Sequence, residues 1–261
     1  MLLKNKNAVI YGAGGSVGTA IARAFAQEGA KVFLTDHTVE RIGQTAGEII
    51  RNGGYAEFAQ VDALNQPEVE RHLESLIEKH HQIDISFNLI SLNDVHGIPL
   101  SDIPIDQFLT PVTTAMRSHF ITANAAAQKM IEQKRGVILM LTANAAKKPY
   151  ENTGGFGVAC ASLEALSRQF AVELGKYGIR VVCLRSAGSP DAKGVHEAFT
   201  EHARMAKVSE EEFERQFAER TMLKRLPRLK EIADAAVLVA SDKASSITSA
   251  IINVTCGELA D

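Results

Sequence analysis

Short apolar runs alternate along the chain with longer segments in which apolar residues recur every three or four positions. The short runs are rich in Val, Ile and Leu, as in VILML, which is typical of strands buried on both faces. The longer segments have the spacing of amphipathic helices. Strands are therefore predicted at Asn7–Tyr11, Lys31–Thr35, Ala56–Gln60, Ile85–Leu89, Gly136–Leu141, Arg180–Leu184 and Ala250–Val254, and helices at Val17–Gln27, Thr38–Asn52, Pro67–Lys79, Ile105–Gln133, Gly155–Lys176 and Lys230–Ser241.

This alternation predicts an α/β fold with three layers. Strands separated by helices form βαβ units, which give a doubly wound parallel sheet with helices on both faces. The 261 residues suit one domain, residues 1–261, and are too few for two large ones. A charged segment, residues 189–226, departs from the pattern between the sixth and seventh strands. It is predicted to be a substrate lid over the strand ends, with a solvated helical excursion as the alternative.

The composition narrows the classes of partner to small molecules. The formal net charge is −3 and Trp is absent, so neither charge nor aromatic stacking indicates nucleic-acid binding. No apolar run approaches the roughly 18 residues that cross a bilayer, and no cleavable leader is expected. The 3 cysteines show no zinc spacing and no C-x-x-C pair, so no metal is expected. A reducing, cytoplasmic setting is the simplest expectation.

A glycine-rich turn, YGAGGSVGTAIARAF, connects the first strand to the first helix. Gly12, Gly15 and Gly18 permit a tight turn, close approach of a pyrophosphate and close packing of the helix on its strand. The helix N-terminus would present free N–H groups to the phosphates. Asp36 ends the second strand, where a carboxylate accepts hydrogen bonds from the adenosine ribose and repels a 2′-phosphate. The sequence predicts a site for NAD(H) rather than NADP(H), the alternative being a glycine turn beside a surface aspartate.

Two later positions support this nucleotide site. Asp62 follows the third strand, where it would accept from the adenine amino group or serve as an ordinary turn residue. Asn88 closes the fourth strand, with a purely structural anchor as the alternative reading. The predicted cofactor-binding residues are Gly12, Gly15, Ser16, Val17, Gly18, Asp36, His37, Asp62, Ala63, Asn88, Ile90 and Gly188.

Four segments, in this order, resemble the short-chain dehydrogenase/reductase family. They are GAGGSVGTAIARAFAQEGAKVFLTD, GIPLSDIPIDQF, ASLEALSRQFAVELGKYGIRV and EIADAAVLVASDKASSITSAIINVTCG. The resemblance covers essentially the whole chain and implies a Rossmann-like sheet of about seven parallel strands. It also implies an oxidoreductase that transfers a hydride between NAD(H) and a small carbonyl or alcohol. A homotetramer formed through the long helices near 105–133 and 155–176 is a further implication.

The resemblance fails at the catalytic positions. In the family a tyrosine transfers the proton, a lysine four residues later lowers the pKa of that tyrosine, and a serine and an asparagine complete the site. The enoyl-acyl-carrier reductase branch has its tyrosine seven residues before the lysine, and Thr153 stands there. The chain is therefore identified as a divergent member without the usual tetrad. The four matching positions hold Ala115 for asparagine, Ala143 for serine, Phe156 for tyrosine and Cys160 for lysine.

Other residues offer substitute proton donors. Tyr150 follows Lys147 and Lys148, so it is either a donor whose pKa a lysine lowers or a loop side chain beside a solvated turn. His96 and His119 have the chemistry to titrate near neutrality, with surface or interface positions as the alternative. Two functions stay open. One is an NAD-dependent oxidoreductase with unconventional donors, and the other is a catalytically silent NAD-binding sensor, scaffold or partner subunit.

Overall fold

One parallel sheet organises the chain, of which the computed structural model describes residues 1–260. Within that range seven strands lie in the order β3-β2-β1-β4-β5-β6-β7. This confirms the predicted doubly wound, Rossmann-like α/β fold. The strands are β1 (Asn7–Tyr11), β2 (Lys31–Asp36), β3 (Tyr55–Gln60), β4 (Ile85–Asn88), β5 (Gly136–Ala143), β6 (Ile179–Ser186) and β7 (Ala250–Val254).

Helices connect the strands as predicted, and two more occupy the charged segment 189–226. Over the described residues, none of the helices is long and apolar enough to cross a membrane. The helices are α1 (Ser16–Gln27), α2 (Val39–Arg51), α3 (Gln66–His80), α4 (Ile105–Gln133), α5 (Phe156–Leu174), α6 (Lys193–Ala206), α7 (Glu210–Glu219) and α8 (Leu229–Ala240).

The core forms two layers because successive residues of each strand face opposite sides of the sheet. On β1, Ala8 and Ile10 pack with residues of α1, α2 and α8. Their neighbours Val9 and Tyr11 pack with residues of α3, α4 and α5. These continuous apolar strands are buried on both faces, as the sequence pattern predicts.

Two central strands run further than predicted. β5 and β6 continue to Ala143 and Ser186, with Thr142 paired with Arg185 in the ladder. The hydrophobic pattern stops earlier because these terminal positions carry small or polar side chains. The extension carries both strand ends to the edge of the cavity described below.

The order of the strands reverses between β1 and β4, which start opposite halves of the sheet. Ligands of open α/β sheets bind in the crevice outside the carboxyl ends of the strands at such a point. The chain after β1, the glycine turn, and the chain after β4 meet there. Helix α5 is brought to the same edge by Gly155, where an added Cβ would lie 2.0 Å from the Phe108 carbonyl oxygen.

Candidate dinucleotide and substrate site

Gly12 and Gly18 make the turn after β1 as tight as the sequence predicts. Gly12 has φ +72°, and an added Cβ would lie 2.6 Å from the backbone nitrogen of Ile90. A Cβ on Gly18 would lie 2.3 Å from the Gly12 carbonyl oxygen. Any other residue at either position would push the turn away from β4 or from α1. The turn therefore holds the start of α1 against the crevice.

The first turn of α1 leaves backbone N–H groups facing the cavity. Gly15 is its N-cap without a side-chain cap, and no acidic residue lies in the first turn. Ser16, Val17 and Gly18 line the cavity. The Ser16 hydroxyl accepts a hydrogen bond from the Lys193 backbone nitrogen (3.1 Å), which joins α1 to α6. Free N–H groups and the partial positive charge of a helix N-terminus suit an anionic phosphate.

Asp36 lies at the end of β2 beside the glycine turn, where the sequence places it. Its Oδ2 accepts from the Gly14 backbone nitrogen (3.1 Å) and its Oδ1 from that of Thr38 (3.0 Å). His37 lies 3.2 Å from the same carboxylate, and its side chain is exposed. Arg41, on the first turn of α2, also lines the cavity beside Asp36. Sequence reasoning missed this cation because it considered only the glycine turn.

The residues after β3 and β4 line the cavity, and their polar groups bond to nearby residues. Asp62 Oδ1 accepts from the Leu64 backbone nitrogen (2.8 Å), as in an Asx turn. Asn88 Oδ1 accepts from Ile90 N (3.1 Å), and its amide donates to the Thr122 hydroxyl (3.1 Å). Asn88 therefore anchors β4 to α4, and Ile90 is fixed by that bond. Ala63 and Gly188 also line the cavity.

A single cavity of about 1010 Å³ joins the glycine turn to Ala143, Phe156 and Cys160 and to α6 and α7. Its far wall is aromatic. Phe199 and Phe213 pack edge to face with ring centroids 5.4 Å apart, and Phe217 stacks on Tyr150 at 5.8 Å. Ser189 also lines this cavity. Its hydroxyl is buried, and among the described residues it finds no hydrogen-bond partner.

Three of the four positions predicted to match the family tetrad line this cavity. Ala143 ends β5, Phe156 starts α5, and Cys160 follows one turn later; all three line the cavity, whereas Ala115 is buried in α4 beside it. The Cys160 side chain is buried, which raises the pKa of its thiol to about 12. The thiol therefore stays neutral near pH 7.

Of the two alternatives for Tyr150, the donor whose pKa a lysine lowers is not supported, because the pKa of Tyr150 is raised. The Tyr150 hydroxyl donates to Glu258 Oε1 (2.6 Å), and burial together with this carboxylate raises its pKa. Lys148 pairs with the same carboxylate at 3.0 Å, while Lys147 donates to the Ala260 carbonyl oxygen at 2.8 Å. Asn144 donates to both Tyr150 and Glu258. The cluster ties the loop after β5 to the C-terminal segment.

His119 is buried, which overturns the expectation that it titrates near neutrality. Its Nδ1 lies 3.0 Å from the Ala115 carbonyl oxygen, and its Nε2 has no partner among residues 1–260. Burial lowers the pKa of His119 to about 4, so the ring is neutral at pH 7.

A buried ion pair lies one helical turn beyond Cys160. Arg185 Nε donates to Glu164 Oε1 (2.7 Å), and an Arg185 Nη donates to Oε2 (2.8 Å). The Thr142 hydroxyl adds a third bond to the carboxylate at 3.2 Å. Nothing in the hydrophobic pattern predicts this pair, since its partners belong to α5 and β6. The ion pair therefore holds α5 against β6 with Glu164 facing the strand.

Comparison with known proteins extends the resemblance over nearly the whole chain. The family model described as enoyl-(acyl carrier protein) reductase matches residues 12–258. The uncharacterized oxidoreductase YxbG of Bacillus subtilis (strain 168) is 29% identical over 262 residues, covering 99% of this chain and 92% of that protein.

Two solved structures share the fold. The NAD+-bound xylitol dehydrogenase superposes with a TM-score of 0.92 at 22% identity, covering 98% of this chain and 100% of that one. The gluconate 5-dehydrogenase of Burkholderia cenocepacia J2315, in complex with NADP and tartrate, gives 0.87 at 20% identity, covering 98% and 96%. With the sheet order, the glycine turn and the matched family model, the chain belongs to the short-chain dehydrogenase/reductase family of oxidoreductases.

Proposed function

We propose that this protein is an NAD(H)-dependent oxidoreductase that interconverts a small alcohol and its carbonyl compound. The observation that carries the proposal is the single cavity, which runs from the glycine turn and Asp36 to Phe156 and α6. One end has the donors and the carboxylate of a dinucleotide site, and the other has an apolar, aromatic wall. A cofactor and an apolar substrate would therefore meet beside the start of α5.

The residues present fit a nicotinamide dinucleotide. The N-terminus of α1 would hold the pyrophosphate, and Asp36 would accept hydrogen bonds from the adenosine ribose. When bound, the cofactor supplies a hydride acceptor or donor. The chain's own residues bind it, orient the substrate and exclude water.

Cofactor choice is tested with Asp36→Asn. Wild-type protein is expected to bind NADH at least about tenfold more tightly than NADPH, because the carboxylate repels a 2′-phosphate. Asparagine keeps an acceptor for only one of the two backbone nitrogens, that of Gly14 or that of Thr38, and it removes the charge, so Arg41 is left to attract the phosphate. The variant should therefore reduce or reverse the preference for NADH over NADPH. Fluorescence titrations with NADH and NADPH measure both constants.

Glu40→Gln is the matched control, because Glu40 lies in the first turn of α2 and is exposed. The substitution removes a nearby charge that does not line the cavity. It should leave the ratio of the dissociation constants for NADH and NADPH unchanged. Equal affinity of the wild-type protein for NADH and NADPH would contradict the role proposed for Asp36.

A catalytically silent NAD-binding protein is the second candidate function. The reason in its favour is that Ala115, Ala143, Phe156 and Cys160 stand where the resemblance predicts the family tetrad, none with a usable acid or base. Binding of NADH without turnover across a panel of ketones, aldehydes and alcohols would support a sensor, scaffold or partner subunit. Both the oxidoreductase proposal and the silent NAD-binding proposal assume that this chain is a divergent family member without the usual tetrad.

We also propose that residues 189–226 are a substrate lid of the single domain 1–261. Helices α6 and α7 supply the aromatic side of the cavity, and the bond between Ser16 and Lys193 joins the segment to the cofactor end. The aromatic wall favours an apolar substrate. A cytoplasmic location stays a prediction from the spacing of the cysteines.

The last part of the proposal is a homotetramer built through α4 and α5. Phe120 on α4 is 52% exposed and packs on Phe170 of α5, and Val172 is 74% exposed. Phe120→Glu is expected to dissociate the tetramer, because a charge cannot be buried there without a partner. Sedimentation velocity measures the mass, with Ile50→Glu on α2 as the exposed control. A wild-type monomer would contradict this assembly.

A further inference from the structure

Two histidines and an aspartate form a hydrogen-bonded chain in the wall of the cavity. Asp94 Oδ2 lies 2.6 Å from His96 Nε2, and His96 Nδ1 lies 3.1 Å from His202 Nε2. Asp94 and His96 belong to the loop after β4, whereas His202 lies on α6. All three residues line the cavity. The chain therefore links the carboxyl edge of the sheet to the segment proposed as a lid.

This chain of side chains reaches the place where the family's tyrosine would stand. The His96 ring centroid lies 5.8 Å from that of Phe156. Asp94 is close enough to Cys160 for its charge to contribute to the raised pKa of that thiol, although burial is the larger cause. A titratable group thus lies beside two tetrad positions that have none of their own.

Close packing from several elements holds the chain in place. Gly97 has φ +91°, a backbone conformation that favours glycine, and a Cβ there would lie 2.9 Å from Glu201 Oε1, so the loop lies against α6. The Gly97 nitrogen donates to the Asn152 carbonyl oxygen at 2.8 Å. On α7, Phe213 lies parallel to the His202 ring, with 7° between the planes and 6.0 Å between centroids.

Hydrogen-bond chemistry fixes where the protons lie. A carboxylate only accepts, so His96 Nε2 carries a proton and the neutral ring has its lone pair on Nδ1. His202 Nε2 then donates to that lone pair, which leaves His202 Nδ1 able to take up a proton. The resulting positive charge is stabilised by Asp94 through His96, as in a catalytic triad.

The surroundings of His202 keep it neutral near pH 7. Burial lowers its pKa, as would a positive charge on the neighbouring His96, while Glu201 beside it on α6 opposes this shift. The Glu201 carboxylate is itself held by Arg204 at 2.6 Å. Phe213, which packs against His202 from α7, carries no charge. A neutral imidazole is the form that accepts a proton from an alcohol.

We propose that Asp94, His96 and His202 form a proton relay that replaces the tyrosine and lysine of the family, an inference that rests on the proposed function. In alcohol oxidation, the C–H hydride goes to the nicotinamide of NAD+ and the O–H proton goes to His202 Nδ1, so the C=O bond forms. Reduction runs the same transfers backwards. His202 is the catalytic residue, and His96 and Asp94 are positioning residues that stabilise its charge.

The relay is tested without cofactor by titrating 15N-labelled histidines in wild-type protein and in Asp94→Asn. Asparagine still accepts from His96 but has no charge, so protonated His202 loses stabilisation. The midpoint for protonation of the His96–His202 pair is expected to fall by about one pH unit. His196, exposed on the same helix, should titrate unchanged in the variant. A pair midpoint that does not move would overturn the relay, whether or not turnover is found.

The second arm measures NADH oxidation by cyclohexanone. His202→Gln is expected to lower kcat by about 100-fold and to flatten its pH profile, with the affinity for NADH within about twofold of wild type. His196→Gln is the matched control and should behave as wild type. Wild-type kcat in His202→Gln would overturn the relay. Binding of NADH without wild-type turnover of any carbonyl would instead contradict the oxidoreductase proposal, and the histidine titration would still decide the relay.

Discussion

Replacing Arg185 with Met is expected to lower the free energy of unfolding by about 3–5 kcal/mol. The guanidinium and the Glu164 carboxylate are both buried and are joined by two bonds of 2.7 and 2.8 Å. Removing the cation leaves a buried carboxylate with the Thr142 hydroxyl as a much weaker partner. Urea unfolding followed by circular dichroism measures the loss.

Two further variants separate loss of charge pairing from loss of side-chain volume. Arg204→Met breaks an exposed pair with Glu201 on α6 and should leave unfolding unchanged, because solvent screens that pair. The double variant Glu164→Leu, Arg185→Met removes both buried charges and should recover most of the stability lost in the single variant. A single variant as stable as wild type would show that the buried pair contributes nothing.

The fold could be predicted because its signals are local. Each strand of the sheet is a short apolar run, and each helix repeats its apolar positions within a few turns. The glycine turn was also predictable. Backbone atoms lie too close to Gly12 and Gly18 for a side chain to fit, and the spacing of the glycines after β1 is the known sign of such a turn. Asp36 follows from its place at the end of β2. The role of each of these residues depends on its neighbours in the sequence, so the sequence alone is enough to predict it.

The polar partners in the site could not be predicted, because they meet across long stretches of sequence. Tyr150 finds Glu258, which is 108 residues away, and the two nearer lysines therefore do not decide its pKa. His96 finds His202 across 106 residues. The sequence analysis named His96 but missed its two hydrogen-bond partners, Asp94 and His202. The local signal that could have found one of them is the D-x-H spacing of Asp94 and His96.

Burial explains where the structure differs from the remaining expectations of the sequence analysis. His119 looks titratable in sequence, yet its place inside α4 lowers its pKa to about 4. A helical period cannot tell which side of a long helix faces a second helix and which faces a cavity. The chemistry of the site therefore depends on packing between α4, α5 and the strand ends, which no single segment encodes.

Replacing Gly18 with Ala is expected to lower the affinity for NADH by about 10- to 100-fold and also to lower stability. The added Cβ would lie 2.3 Å from the Gly12 carbonyl oxygen and 2.7 Å from Ala13 Cα, and backbone atoms cannot move aside cheaply. The first turn of α1 must shift, and with it the N–H groups proposed to hold the pyrophosphate. Fluorescence titration with NADH, together with urea unfolding, measures both effects.

Gly15→Ala in the same turn is the matched control for stability. Its Cβ would have the Gly12 carbonyl oxygen as its nearest neighbour at 3.6 Å, an ordinary contact, and its φ of −78° suits alanine. The free energy of unfolding should therefore stay at the wild-type value. Because the two substitutions add the same methyl group three residues apart, a difference between them reports the geometry of the turn rather than the loss of glycine. Unchanged NADH affinity in Gly18→Ala would mean that this turn does not position the cofactor.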